Sequence, residues 1–136
     1  MKKVFLVLML MGVILSCSIN DDEGQDVNFE FVSITNADLP DTLIFGNRYT
    51  FPITSEVSDC STYYGLRVDP QDSIRFVAAV NTVREGVDCS GTTDTIVNNL
   101  DFEVIYNYTY VFKFLTGVNA NGENTYITKN IPVRER

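Results

Sequence analysis

The sequence predicts an all-β domain built as a single antiparallel two-sheet sandwich, and three observations predict it. From Val27 onward apolar and polar residues alternate with a period of two through most of the chain, the pattern of half-buried strands. No segment in that region sustains a helical period. Turn-forming clusters punctuate the pattern, giving roughly seven short strands in about 110 residues, a spacing that suits two packed sheets. The immunoglobulin-like form of the sandwich is the first expectation, with a small β-barrel as the alternative. A tryptophan on the third strand is missing, and the cysteine spacing is not that of antibody domains.

The strands follow in order. VNFEFVSI, residues 27–34, is rich in β-branched and aromatic residues. RYTFPIT sets Tyr49, Phe51 and Ile53 on one face and Arg48, Thr50 and Thr54 on the other. Pro52 has no N–H to give a ladder, so an edge strand or a bulge is expected there. TYYGLRV is a short candidate. SIRFVAAVNTV places Ile74, Phe76, Ala78 and Val80 on one face. NLDFEVIY turns Leu100, Phe102 and Val104 inward and Asp101 and Glu103 outward. NYTYVFKFLTG alternates Tyr108, Tyr110, Phe112 and Phe114 with Asn107, Thr109, Val111 and Lys113. Together with Tyr106 this aromatic stripe is too long to be all surface, so it is expected in the core, with Tyr108 bonded to a neighbouring loop. NTYITKNIPV closes the domain with Ile127, Ile131 and Val133. VNANGEN joins the last two strands through Asn121-Gly122, a pair that tolerates positive φ. VDPQDS and DCSGTTD read as loops.

The amino end has a different character. Lys2 and Lys3 precede an uncharged run from Val4 to Leu15. As a helix that run rises roughly 18 Å, too short for a hydrocarbon core of about 30 Å but suited to a secretory signal. Ile14-Leu15-Ser16-Cys17 resembles a bacterial lipobox, with Leu15 standing where that motif prefers a small residue. The resemblance implies cleavage before Cys17 and a diacylglycerol thioether on its sulfur. Two or more acyl chains anchor a protein stably where one does not. An ordinary signal peptide with an incidental Cys17, or an uncleaved anchor, is the alternative. Residues 1–16 are thus expected to be the lipoprotein signal, 17–26 a lipidated acidic tether, and 27–136 the β-sandwich.

Asp21, Asp22, Glu23 and Asp26 crowd the tether. Such a segment has little to bury, and its charge repels an anionic lipid surface. Cys17-Ser18 followed by Asp21-Asp22-Glu23 also resembles the acidic export signal of Bacteroidota surface lipoproteins. That resemblance implies an outer-membrane location facing outward; the periplasmic face is the alternative. YTYVFKFLTGVNANGENTYITKNIPV is similar to the C-terminal hairpin of small Bacteroidota lipoproteins, a group that carries no activity over to this chain.

Charge and composition exclude several functions. The chain has 10 basic and 18 acidic residues. Loss of Lys2 and Lys3 with the signal makes the remainder still more acidic, which disfavours nucleic acid and bare anionic lipid as partners. There is no histidine, which removes histidine-based triads, dyads and metal sites together. Cys60 and Cys89 form an even pair in an exported chain and are expected to be disulfide-bonded, with two free buried thiols as the alternative. Asp101 and Glu103 share a strand face at i, i+2, which usually marks the wet side of a sheet rather than a glycosidase pair. No catalytic residues, no cofactor and no metal site are expected. Oxygen ligands in the loops (Asp88, Ser90 and Asp94; Asn119, Asn121 and Glu123) do not match calcium-loop spacing, and turn chemistry accounts for them.

Binding remains. Tyr63 and Tyr64 beside Cys60 are candidate ligand contacts, since exposed tyrosines stack on sugars or anchor proteins. Thr42, Ser73 and Thr95 each sit between an aspartate and an apolar residue, a triplet that resembles the O-glycosylation motif of exported Bacteroidota proteins. The expected role is a membrane-anchored, non-catalytic protein- or glycan-binding module. The alternative is a structural or accessory subunit of an outer-membrane uptake complex.

Overall fold

A computed structural model describes residues 27–84, 86 and 88–135. The expected signal, Cys17 and the tether with Asp21, Asp22 and Glu23 lie outside the described residues. The described residues form ten strands and no helix: β1 (Val27–Val32), β2 (Ile34–Ala37), β3 (Leu43–Ile44), β4 (Arg48–Ser58), β5 (Ser61–Gln71), β6 (Ile74–Arg84), β7 (Thr93–Glu103), β8 (Tyr110–Val118), β9 (Asn124–Ile131) and β10 (Val133–Arg134).

Two sheets pack into a sandwich that does not close into a barrel. In the five-stranded sheet β6 is the spine. β5 pairs along all of one side, from Ser61 opposite Val83 to Gln71 opposite Ile74. The other side is shared end to end: β1 runs antiparallel along Ala79–Arg84, and β8 runs parallel along Ile74–Val77. β9 completes the sheet beside β8. The facing sheet is β2-β4-β7, and a short parallel β3/β10 pair stands apart. Pairing is antiparallel except in β6/β8 and β3/β10. Parallel neighbours need a long crossover; here the chain leaves β6, traverses the facing sheet as β7, and returns as β8 pointing the same way.

The core lies between the sheets. Phe51 and Ile53 of β4 and Leu100 of β7 belong to one buried cluster with Val77 and Ala79 of β6 and Tyr110, Phe112 and Phe114 of β8. Phe112 meets Phe51 edge-on at 5.8 Å and Phe102 at 5.0 Å between ring centroids. Leu100, Val104, Tyr110, Phe112, Phe114 and Ile131 are buried and Phe102 is half-buried, while Asp101 and Glu103 are exposed, as the alternation predicts. Tyr108 donates to the carbonyl of Asp72, so it does bond a neighbouring loop. Tyr106 departs from the expected stripe and is exposed. It precedes β8, where the sheet no longer covers the chain.

The structure settles which face of β6 is covered, and three expectations need correction. In β6 the buried row is Arg75, Val77, Ala79 and Asn81, while Ile74, Phe76, Ala78 and Val80 are only half-buried on the outer face. Both rows are largely apolar, and polar residues stand at the two ends of the inward row. The Asn81 Nδ2 group donates to Glu56 O at 3.3 Å and Ser61 Oγ at 3.1 Å, while its Oδ1 is buried without a hydrogen-bond partner among the described residues. Pro52 is not on an edge strand, because β4 is the middle strand of its sheet. Its carbonyl accepts from Asp38 N at 3.0 Å, just beyond the end of β2. A residue's N–H and C=O project to the same side of a strand, so the missing donor falls where β2 has already ended. VDPQDS is mostly strand: β5 continues to Gln71, and Asp72-Ser73 alone make the turn, with Asp72 at φ 50°. At the last hairpin only Gly122 takes positive φ, at 83°. Gly122 N donates to Asn119 O, and Asn119 Oδ1 accepts from Asn121 N and Glu123 N, so side-chain bonds hold a longer turn.

Candidate functional site

The outer face of the five-stranded sheet carries the largest group of exposed rings. β5 bulges between Tyr63 and Gly65: Tyr63 lies opposite Asn81, and Gly65 opposite Val80. Tyr64 is the extra residue, and a bulge re-aims the side chain it inserts. The two tyrosines therefore part company. Tyr63 shares the inward register of Asn81, and burial pushes its phenol above the ordinary value. Tyr64 is 67% exposed and meets Phe29 edge to face, with ring centroids 4.9 Å apart.

β1 supplies the rest of the platform. Phe29 and Phe31 are spaced i, i+2 and so share a face; they are 60% and 58% exposed. Phe31 pairs with Val80 in register. Phe29, Phe31, Tyr64, Leu66, Arg67 and Val80 line a groove of about 480 Å³. Phe31 and Arg67 also line a second groove of about 530 Å³, together with Phe76 and Tyr126, so the two grooves make one continuous face. Lys113 Nζ stands 5.5 Å from the centroid of Phe76 and 5.9 Å from that of Tyr126. Arg67 and Lys113 thus bring positive charge to an apolar face of an acidic protein, with Asp69 as an acidic neighbour on the groove.

The facing sheet is different. Arg48 pairs with Glu103 at 3.0 Å, and Thr50 Oγ1 donates to Asp101 Oδ1 at 2.7 Å. Both carboxylates are thereby committed to cross-strand partners on a solvated surface.

Of the expected ligand contacts, Tyr64 belongs to the aromatic face and Tyr63 does not. Phe29 and Phe31 were missed as contacts. Their spacing in VNFEF was visible, but a first strand with no known neighbour does not declare which side is covered. Thr42 is half-buried before β3, Ser73 is half-buried in the β5–β6 turn, and Thr95 is exposed on β7 opposite Glu56.

At one end of the sandwich Cys60 and Cys89 are disulfide-bonded, with Cα atoms 5.5 Å apart. Cys60 lies in the turn from β4 to β5 and Cys89 in the connection from β6 to β7. Each of those connections passes between the sheets, so the bond joins two crossings. Asp59 stands beside the sulfurs, but oxidised sulfurs offer no thiolate to a metal. Its carboxylate instead accepts from Ser90 Oγ and Ser90 N. The Ser90 hydroxyl, helped by backbone N–H groups, holds the Asp59 carboxyl below its ordinary value of 3.8. A depressed folded-state value stabilises the fold above the unfolded value, and that contribution is lost as pH falls through the folded value. Asp59→Asn is therefore expected to lower the melting temperature near pH 7 and to leave it almost unchanged near pH 2. Equal losses at both pH values in thermal melts would exclude the charged bond as the cause.

No family model, no curated protein and no solved structure matches this chain.

Proposed function

We propose that this protein is a lipid-anchored, outward-facing, non-catalytic binding module of the outer membrane, and that it holds its partner on the aromatic face of the five-stranded sheet. The observation that carries the reading is the grouping of Phe29, Phe31 and Tyr64, each more than half exposed, around one groove. Contiguous exposed apolar surface marks interaction sites in soluble domains, and aromatic residues are the commonest anchors of protein interfaces. The groove lining favours a protein over a glycan. Phenylalanine rings and aliphatic side chains dominate it, and among the described residues Arg67 is the only charged one lining the groove. A sugar needs more hydrogen-bonding groups than that. Anchoring through Cys17 and export through Asp21, Asp22 and Glu23 rest on the resemblances in the amino-terminal segment.

The test places a photo-crosslinking residue at position 64 of the full chain in living cells. The control sits at position 50, on the polar face of the other sheet. A discrete adduct is expected from position 64 and none from position 50, and protease applied to intact cells should remove that adduct. Equal yields at the two positions would end the case for the aromatic face. An adduct that survives protease until the cells are lysed would end the case for outward display.

A further inference from the structure

We propose that a second site, at the end of the sandwich around Arg75, binds the carboxylate of an acidic sugar. Arg75 is 6% exposed and inward-facing in β6. A buried guanidinium normally has a carboxylate partner. This one does not: among the described residues the only ion pair is Arg48 with Glu103. Arg75 Nη1 donates to the carbonyls of Asp72 at 2.8 Å and Ile74 at 2.9 Å, and Nη2 donates to Tyr108 Oη at 2.9 Å. The guanidinium carbon lies 5.0 Å from the centroid of the Tyr110 ring. Every one of these partners is neutral, so no carboxylate is paired with this cation.

That charge borders an open surface pocket of about 810 Å³. Tyr106 and Tyr108 stack there, with centroids 5.0 Å apart and planes 14° from parallel. Tyr108 is in turn 4.9 Å from Tyr110. The three rings run from the pocket rim to the cation. Tyr106 is 48% exposed and is held by its own N–H, which donates to Tyr110 Oη at 3.1 Å. The pocket thus offers a flat ring, a phenol hydroxyl and the side chains of Ser73 and Asp72 around a buried cation. A pyranose carboxylate fits this chemistry. Its C–H face lies on Tyr106, its hydroxyls meet the rim, and its carboxylate accepts a charge-assisted hydrogen bond from Arg75. Asp72 at the rim is the one acidic side chain among the lining residues, and it opposes the ligand's charge. This site stands apart from the Phe29–Phe31–Tyr64 face, shares no lining residue with that groove, and needs no result from it.

Calorimetric titration of the full chain in detergent tests the assignment, using an oligogalacturonide, its fully methyl-esterified form and an oligoglutamate. The esters keep the rings and remove the charge. The free acid is expected to bind at least about tenfold more tightly than the ester, the range for one hydrogen-bonded charge. Tyr106→Ala, an exposed change that leaves the core intact, should weaken the acid roughly threefold to tenfold. Arg75→Met should abolish the preference for acid over ester, and a melting curve establishes that this variant is folded. Equal affinity for acid and ester, no heat from either, or indifference to Tyr106→Ala would each overturn the proposal. Tighter binding of the oligoglutamate than of the uronide would overturn the sugar class.

Discussion

Phe112→Ala is expected to cost about 3–5 kcal/mol, the range for truncating a fully buried aromatic ring. Phe112 is completely buried, and its ring packs against Phe51 from the facing sheet and against Phe102, Tyr110 and Phe114. Removing it opens a cavity between two sheets whose backbones are fixed by ladders and cannot close over the gap. Domains of this size have a net stability of about 5–15 kcal/mol, so the variant should be marginal or unfolded at room temperature. Urea denaturation followed by tyrosine fluorescence measures the loss. A conservative Phe112→Leu change should lose less. A cost below about 1 kcal/mol for the alanine variant would mean that the inter-sheet packing described here is wrong.

Cys60→Ala with Cys89→Ala is expected to cost about 3.5 kcal/mol by the loop-closure estimate for their sequence separation of 29 residues. The location reinforces the expectation. The bond ties the β4–β5 turn to the β6–β7 connection, so it restrains both passages between the sheets at that end. The denaturation midpoint should fall in the double variant, and a reducing agent should shift the wild type by a similar amount while leaving the variant unchanged. A wild type insensitive to reduction, with a midpoint equal to the variant's, would show that the crossings are held by packing alone.

What could be read from the sequence follows from local pattern strength. The second half of β7 was legible because polar and apolar residues alternate strictly in Leu100-Asp101-Phe102-Glu103, and β8 because Tyr110, Phe112 and Phe114 recur at every second position; residues 93–98 of β7 were not, since Thr93 and Asp94 read as part of a loop. The pairing of Cys60 with Cys89 needed only an even count. The covered face of β6 was not legible, because a core face that begins with Arg75 and ends with Asn81 does not look like one. Its burial depends on the carbonyls of Asp72, Ile74 and Glu56, which no local pattern reveals. Tyr63 and Tyr64 looked equivalent; a bulge in register with β6 sends them to different sides. The platform of Phe29 and Phe31 depends on β1 settling beside β6, some fifty residues away in the chain. The pocket at Arg75 gathers residues from β5, β6 and the connection into β8, so no single stretch of sequence announces it.

The split edge of β6 has a consequence for how the chain reaches its native state. The β5–β6 and β8–β9 hairpins are local and close early, each across a short turn. Between them stands the parallel pairing of Ile74–Val77 with Val111–Phe114, which waits until β7 has been laid down on the other sheet. Pairings so distant in sequence carry a high loop-closure cost and slow the reaction, toward milliseconds to seconds for all-β domains. Docking of two preformed hairpins is then the slow event, and the half-finished edge of β6 is what the unfinished molecule presents to its neighbours. A chain synthesised from its amino end exposes that edge for as long as β8 is still to come.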